Sequence, residues 1–266
     1  MPTPPPPSGS SFVDADIAAE HVTIGPVTLA RMTLGEAVAR LLERVAARRK
    51  TRVAFANAHC LLLAMDDPRV ADTLSRFLVL NDGTGAEIGA RLLTGTGFPN
   101  NLNGTDFVPA LLAAAPAGTR LYLFGARPEV VARAATVFGE AHPQITVCGH
   151  RDGYFAPEET DDIVAGINAA QPDILLVAMG NPKQEQWIDA VSDRLDVPLA
   201  LGVGALFDFT AGAVVRAPRA FRVVGMEWVF RFLQEPRRLG KRYTLGVVRY
   251  LWKIGRLWLA ARFARA

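Results

Sequence analysis

The stretch Pro172–Asp208 constrains this chain more than any other. It holds two apolar runs of strand length, Ile174–Met179 and Val197–Val203. Neither run alternates polar and apolar residues, so neither strand can turn a face to water. Both belong inside a parallel sheet covered on two sides. Between them, Lys183–Leu195 has helical spacing, with Trp187, Ile188, Val191 and Leu195 on one side. Strand, helix and strand in that order make a crossover unit. Gly180-Asn181-Pro182 stops the first strand. Asn181, Lys183, Gln184 and Glu185 therefore fall at its carboxyl end, where open α/β sheets bind ligands. Gly202 and Gly204 close the second strand, Asp208 follows, and glycines there permit close approach of a ligand. The bland reading is a strand end followed by a polar helix start. The short crossover and the paired glycines weigh toward a binding crevice.

The rest of the chain fits one architecture. Strands and helices alternate from Leu121 to Val203, which predicts an α/β protein: Rossmann-like parallel-sheet layers with helices on both faces. Residues 1–20 open on four consecutive prolines and are expected to be disordered. Residues 21–215 form the α/β core, divided into an N-terminal lobe, 21–117, and a Rossmann-like half, 118–215. Within the lobe, Val22–Leu29 is predicted as one short strand around Gly25-Pro26. Thr33 and Glu36 are spaced as a capping box for a helix over 33–48. Asn57 and Asp82 each follow a predicted strand, so the two can share a pocket, although composition alone slightly favours a simple turn at Asp82-Gly83. Gly95–Asn103 is a Gly/Asn/Pro-rich loop, read either as ordering on a ligand or as a plain surface excursion. Gly104-Thr105-Asp106 precedes a helix over 107–115 that Asp106 is expected to cap. Leu121–Gly125 runs into a glycine turn, but Gly-x-Gly-x-x-Gly is absent, so no dinucleotide fingerprint is present.

Charge is unevenly spread. Residues 216–266 carry thirteen Lys/Arg against two acidic residues, a net of +11, while residues 1–215 carry a net of −8. The basic segment alternates with apolar residues and includes Trp228, Trp252, Trp258, Tyr243 and Tyr250. Such a helical appendage suits an anionic membrane surface, where basic side chains snorkel and aromatic rings sit at the headgroups. Packing on the domain or in a homo-oligomer stays open. Nucleic acid is disfavoured, since no nucleic-acid motif appears. The tail beyond about Tyr250 is expected to be dispensable for the core. No signal peptide and no apolar run of eighteen residues is visible, so a spanning helix is not predicted. Cys60 and Cys148 sit in or beside apolar runs, as reduced core residues of a cytosolic protein do, and no metal-ligand spacing occurs among His and Cys.

Taken together, Asn181-Pro182-Lys183-Gln184-Glu185, Gly202-Val203-Gly204-Ala205-Leu206-Phe207-Asp208, Arg216-Ala217-Pro218 and Glu227-Trp228 resemble the WecG/TagA/CpsF glycosyltransferase family, from about Val22 to Tyr250. The resemblance implies an inverting transferase with no required cofactor and no essential divalent metal. It implies transfer from a UDP-sugar to a sugar on an undecaprenyl-diphosphate lipid, at the inner face of a bacterial plasma membrane. It makes Asp82 the base and counts Asn57 and Gln184 as catalytic with it. Gly125, Asn181, Lys183, Gln184, Glu185, Gly202, Gly204 and Asp208 fall to the donor. Thr105, Asp106, Arg231, Arg238 and Arg242 fall to the acceptor. Two positions depart from the family pattern. Phe55 stands where many members have threonine, and Asn100-Asn101-Leu102-Asn103 replaces a segment that usually carries an arginine. The departures look more like the exopolysaccharide branch, of xanthan or acetan type, where glucose is the moved sugar, than like N-acetylmannosaminyl transfer. Two other readings remain at this level: a UDP-sugar binding or epimerising protein, and a membrane-associated scaffold without chemistry.

Overall fold

The computed structural model describes residues 17–18, 20–218, 227–234 and 245–263. Val22–Leu29 is not one strand. It is a hairpin of β1 (His21–Ile24) and β2 (Val27–Ala30), paired antiparallel, with Ile24 opposite Val27. Gly25, at φ +60°, lets two residues reverse the chain. Thr33 and Glu36 do form the capping box of α1 (Leu34–Ala46), which buries Ala37, Val38 and Leu41.

Six strands make the main sheet: β3 (Thr51–Ala56), β4 (Leu78–Asn81), β5 (Arg120–Gly125), β6 (Thr146–Arg151), β7 (Ile174–Ala178) and β8 (Leu199–Gly202), in the order β4-β3-β8-β7-β5-β6. Every pairing in it is parallel. The apolar runs that lacked a polar face lie in its centre: all residues of β7 and β8 are buried. The edge strand β6 is the least covered. The pairing of β3 with β8 joins residues 21–117 and 118–215 in one continuous sheet.

Helices cover both faces. Against one lie α1, α5 (Gly104–Ala114), α6 (Pro128–Ala141) and α9 (Leu206–Thr210), around Phe55, Leu123, Leu176 and Leu201. Against the other lie α2 (Ala58–Asp66), α3 (Pro68–Leu74), α4 (Gly83–Thr94), α7 (Thr160–Ala169) and α8 (Lys183–Val191), around Ala54, Phe124, Leu175 and Val177. Burying each Leu, Ile or Phe contributes roughly 1.5–3 kcal/mol. Asp189 of α8 accepts from Arg52 of β3 at 2.7 Å and from Arg76, before β4, at 2.6 Å. That pairing ties the crossover helix to the opposite half of the sheet, and Asp189 holds Arg76 more firmly protonated than usual.

The topology sets a switch point. The chain leaving β8 enters α9 on one face. The chains leaving its neighbours β3 and β7 enter α2 and α8 on the other. Backbone parts at such a switch point, beyond the carboxyl ends of the strands.

The terminal helix, Leu245–Phe263, packs by one side on α2 and α4. Tyr250 and Ile254 are buried in the core they share, so the expectation that residues beyond Tyr250 are dispensable is corrected. Tyr250 Oη donates to the Gly85 carbonyl at 2.8 Å, and Lys253 Nζ reaches Asp66 at 2.6 Å. The other side exposes Leu245, Val248, Trp252, Leu259 and Phe263. Among the described residues no helix is long and apolar enough to cross a membrane. Most of the proline-rich N-terminus lies outside the described residues.

Candidate active site

Two strand ends bring the first pair of polar residues together. Asn57 follows β3 and is the N-cap of α2; its Oδ1 accepts from the His59 and Cys60 amides, both at 3.1 Å. That leaves Nδ2 to donate, and it does so to Asp82 Oδ2 at 3.2 Å. Asp82 follows β4 directly. It stands in the N-cap position of α4 but makes no side-chain cap hydrogen bond. The helix begins at Gly83, φ +77°, so no separate turn intervenes. Asp82 and Asn57 thus meet where the N-termini of α2 and α4 converge, a region of partial positive charge.

The Gly95–Asn103 loop is neither a free excursion nor unanchored. Asn100 Oδ1 accepts from the Leu34 amide, the first of α1, at 2.9 Å. Asn101 Oδ1 accepts from the Gly83 amide, the first of α4, at 2.8 Å. Asn103 caps α5 by accepting from Asp106 N at 3.0 Å. Three asparagines of one loop therefore serve three helix starts. Buried Asn81 at the end of β4 donates to the Asn100 carbonyl at 2.9 Å and locks the loop to the sheet.

Asp106 is accordingly not the cap of α5, which begins three residues earlier than expected. A carboxylate in the first turn is favourable there, but Asn103 already serves the amide. Asp106 instead takes a two-pronged ion pair from Arg216, both prongs at 2.7 Å. Thr105 is half-buried in the same turn. Phe55 is buried at the end of β3 and tilts against Phe107, ring centroids 5.7 Å apart. Gly104 brings the α5 backbone onto the same ring: a Cβ there would stand 3.3 Å from it.

At the ends of β7 and β8, Gln184 is a clamp. Its Oε1 accepts from Gly180 N at 3.1 Å and Gly204 N at 2.9 Å, so one buried side chain ties the two strand exits together. These amides are therefore not free to face a ligand. Gly202 has no side chain because Gln184 occupies the space: a Cβ would stand 2.8 Å from Nε2. Gly204 differs, having φ +56° and open space around the missing Cβ. Gly125, at φ +122°, is required by close approach to the Ala178 backbone. Glu185 is buried, accepts from Gln184 Nε2 at 2.8 Å and Asn181 Nδ2 at 2.6 Å, and leaves Oε2 without a partner among the described residues. Burial pushes its carboxyl up to about 7, against hydrogen bonds from Gln184 and Asn181 that favour the charged form. Lys183 is exposed at the start of α8, and Asp208 is half-buried in α9.

Asp82, Asn57, Gly204 and Asn181 therefore terminate four adjacent strands, β4, β3, β8 and β7. Three strand spacings are about 14 Å, so the four ends form a row of about that length. Arg238 and Arg242 lie outside the described residues. Arg231 lies in the helix Glu227–Gln234, with its side chain outside them. Sequence reasoning missed the roles of Asn100, Asn101, Asn103, Arg216 and Tyr250. The asparagines carried a signal, since Asn is a favoured cap, but not the helices they serve. Among the described residues, no three His, Cys, Asp or Glu side chains are grouped to hold a metal ion, and neither cysteine is in a disulfide.

A parallel α/β sheet with polar side chains at three carboxyl ends and an open glycine at the one between them defines a ligand-binding α/β protein. The model of the glycosyl transferase WecG/TagA/CpsF family matches residues 22–264, and the chain belongs to that family. It is accordingly a glycosyltransferase of polysaccharide synthesis.

Proposed function

We propose that the protein transfers a hexosyl group, with inversion, from a UDP-sugar to an undecaprenyl-diphosphate-linked sugar in exopolysaccharide synthesis. The observation that carries this reading is the Asn57–Asp82 pair at 3.2 Å, held at the converging starts of α2 and α4. Asp82 takes the proton of the acceptor hydroxyl as its oxygen attacks the anomeric carbon. The bond from that carbon to the UDP β-phosphate breaks on the opposite side, and UDP leaves with the electron pair. Asn57 holds one carboxylate oxygen, and so positions the base. Exposed Lys183 and the helix starts offset charge on the leaving diphosphate. Phe55, buried against Phe107, presents no hydroxyl where many family members have threonine, which supports a glucosyl donor over an acetamido sugar.

The acceptor never leaves the bilayer. The apolar outer side of the terminal helix, with Arg256 over Trp252 and Arg262 over Trp258, supports peripheral attachment to the inner face of the plasma membrane. Arg231, Arg238 and Arg242 are assigned to the lipid diphosphate, which a guanidinium fork meets at two oxygens. The test incubates the protein with a panel of UDP-sugars and polyprenyl-diphosphate sugars. Lipid-linked product is expected, with UDP-glucose the preferred donor. Free epimerised donor, or no product from any pair, would refute the reading.

A further inference from the structure

The hydrogen bonds around Glu185 fix which atom of the Asn181 amide is left without a partner among the described residues. Gly180 N–H and Gly204 N–H both donate to one side-chain atom of Gln184, at 3.1 and 2.9 Å. Only the oxygen of an amide accepts, so that atom is Oε1. Reversing the amide would orphan two backbone donors against an NH2 group. Nε2 is then a donor, and its partner at 2.8 Å is Glu185 Oε1. A carboxylate oxygen also only accepts, so the Asn181 atom 2.6 Å from the same oxygen is Nδ2. Asn181 Oδ1 is left over. It makes no hydrogen bond with the described residues and belongs to a half-buried side chain just beyond β7.

We infer that Asn181 is a specificity-determining residue that offers the ligand a carbonyl oxygen, and so selects a hydrogen-bond donor, a hydroxyl or ring N–H of the nucleotide sugar. A phosphate oxygen at this point would meet another oxygen with no proton between them. The diphosphate is thereby directed away from Asn181. The identity of the ligand rests on the nucleotide-sugar reading above; the polarity of the residue does not. A proton on Glu185 Oε1 would let the Asn181 amide reverse. Glu185 titrates at about 7, so the polarity is read at about pH 8.5, where the carboxylate form dominates.

Two measurements on the full chain test this. In the first, UDP-glucose and its analogues are titrated calorimetrically into the wild-type protein and into Asn181→Leu. The analogues lack one donor at a time, as deoxy, deoxyfluoro and N3-methyl-uracil forms, or carry a methylene for the bridging phosphate oxygen. One donor-deleted analogue is expected to bind wild type about tenfold more weakly, with no such discrimination by Asn181→Leu. Where that donor is a sugar hydroxyl, deoxy and fluoro forms should suffer alike, because fluorine does not donate. Coupling of Asn181 to the phosphate analogue, or to no donor deletion, overturns the inference. In the second, the Asn181 side-chain amide protons are followed by NMR without ligand, assigned by their loss in an Asn181 variant. Slow exchange is expected for an amide turned inward to Glu185. Exchange as fast as at surface asparagines overturns the inference. If UDP-glucose does not bind at all, the donor reading fails, and the amide measurement still decides the polarity.

Discussion

Asn57 does two jobs with one amide: its oxygen caps α2 and its nitrogen holds Asp82. The division is forced, because the backbone amides of α2 can only donate. Asp82→Asn keeps a side chain able to accept from Asn57 but removes the base. Turnover is expected to fall by about 10²–10⁴-fold, with UDP-sugar binding within about twofold of wild type. Steady-state rates and calorimetry separate the two effects, and near-wild-type turnover would remove Asp82 from the role. Glu185 yields a second prediction. Its folded pKa, about 7, lies above the ordinary 4.5. The protonated form is therefore the one the fold prefers. The stability it confers is fully present below about pH 4.5 and is lost as pH rises through about 7. The loss is on the order of 3 kcal/mol. Glu185→Gln cannot ionise, so its stability relative to wild type is expected to improve by about that amount from pH 5 to pH 8. Denaturant melts at both pH values check this; a pH-independent difference would show that burial does not control the carboxyl.

At the level of elements, the pair depends on how closely α2 and α4 approach. Gly85 of α4 sits against Ala58 of α2: a Cβ at Gly85 would lie 2.5 Å from the Ala58 Cβ and 3.2 Å from its backbone. The helix starts would have to separate, carrying Asn57 from Asp82. Gly85→Ala is expected to cost about 1–3 kcal/mol and to cut turnover at least tenfold, by thermal melting and rate assays. Gly166, inside α7, has nothing within 4 Å of its missing Cβ. Gly166→Ala should stabilise by about 0.5–1 kcal/mol with activity unchanged, which controls for substitution itself. The loop of asparagines acts at the same scale. Asn101→Ala removes the side chain that serves the first amide of α4 and should cost about 1 kcal/mol. The hydrogen bonds from the Leu34 and Gly83 amides to Asn100 and Asn101 hold the loop against two helix starts.

Across the whole molecule, the terminal helix joins the core to the proposed membrane surface. Its inner side is part of the fold through Tyr250 and Ile254, so truncation confounds folding with attachment. Replacing exposed Trp252, Leu259 and Phe263 together with Ser is the cleaner test. Binding to anionic liposomes should weaken at least tenfold, with UDP-sugar binding in solution unchanged, and added salt should weaken wild-type attachment further. Undiminished liposome binding by the triple variant would refute attachment through this face. The sequence by itself determined the parallel α/β class, because apolar runs without a polar face have nowhere to go but the middle of a covered sheet. It also determined the capping box of α1 and the polar residues that stand at strand ends, since both are local patterns. Only the tertiary structure decided the strand order, which inserts β8 between β3 and β7 and so lines up Asp82, Asn57, Gly204 and Asn181. Only it showed that Asn100 serves a helix start sixty-six residues earlier, that Asp106 is held by Arg216 rather than capping α5, and that Tyr250 is core. The physical reason is common to all of these: a capping amide, a guanidinium or a phenol satisfies whatever partner the packed sheet brings to it, and separation along the chain does not record that distance.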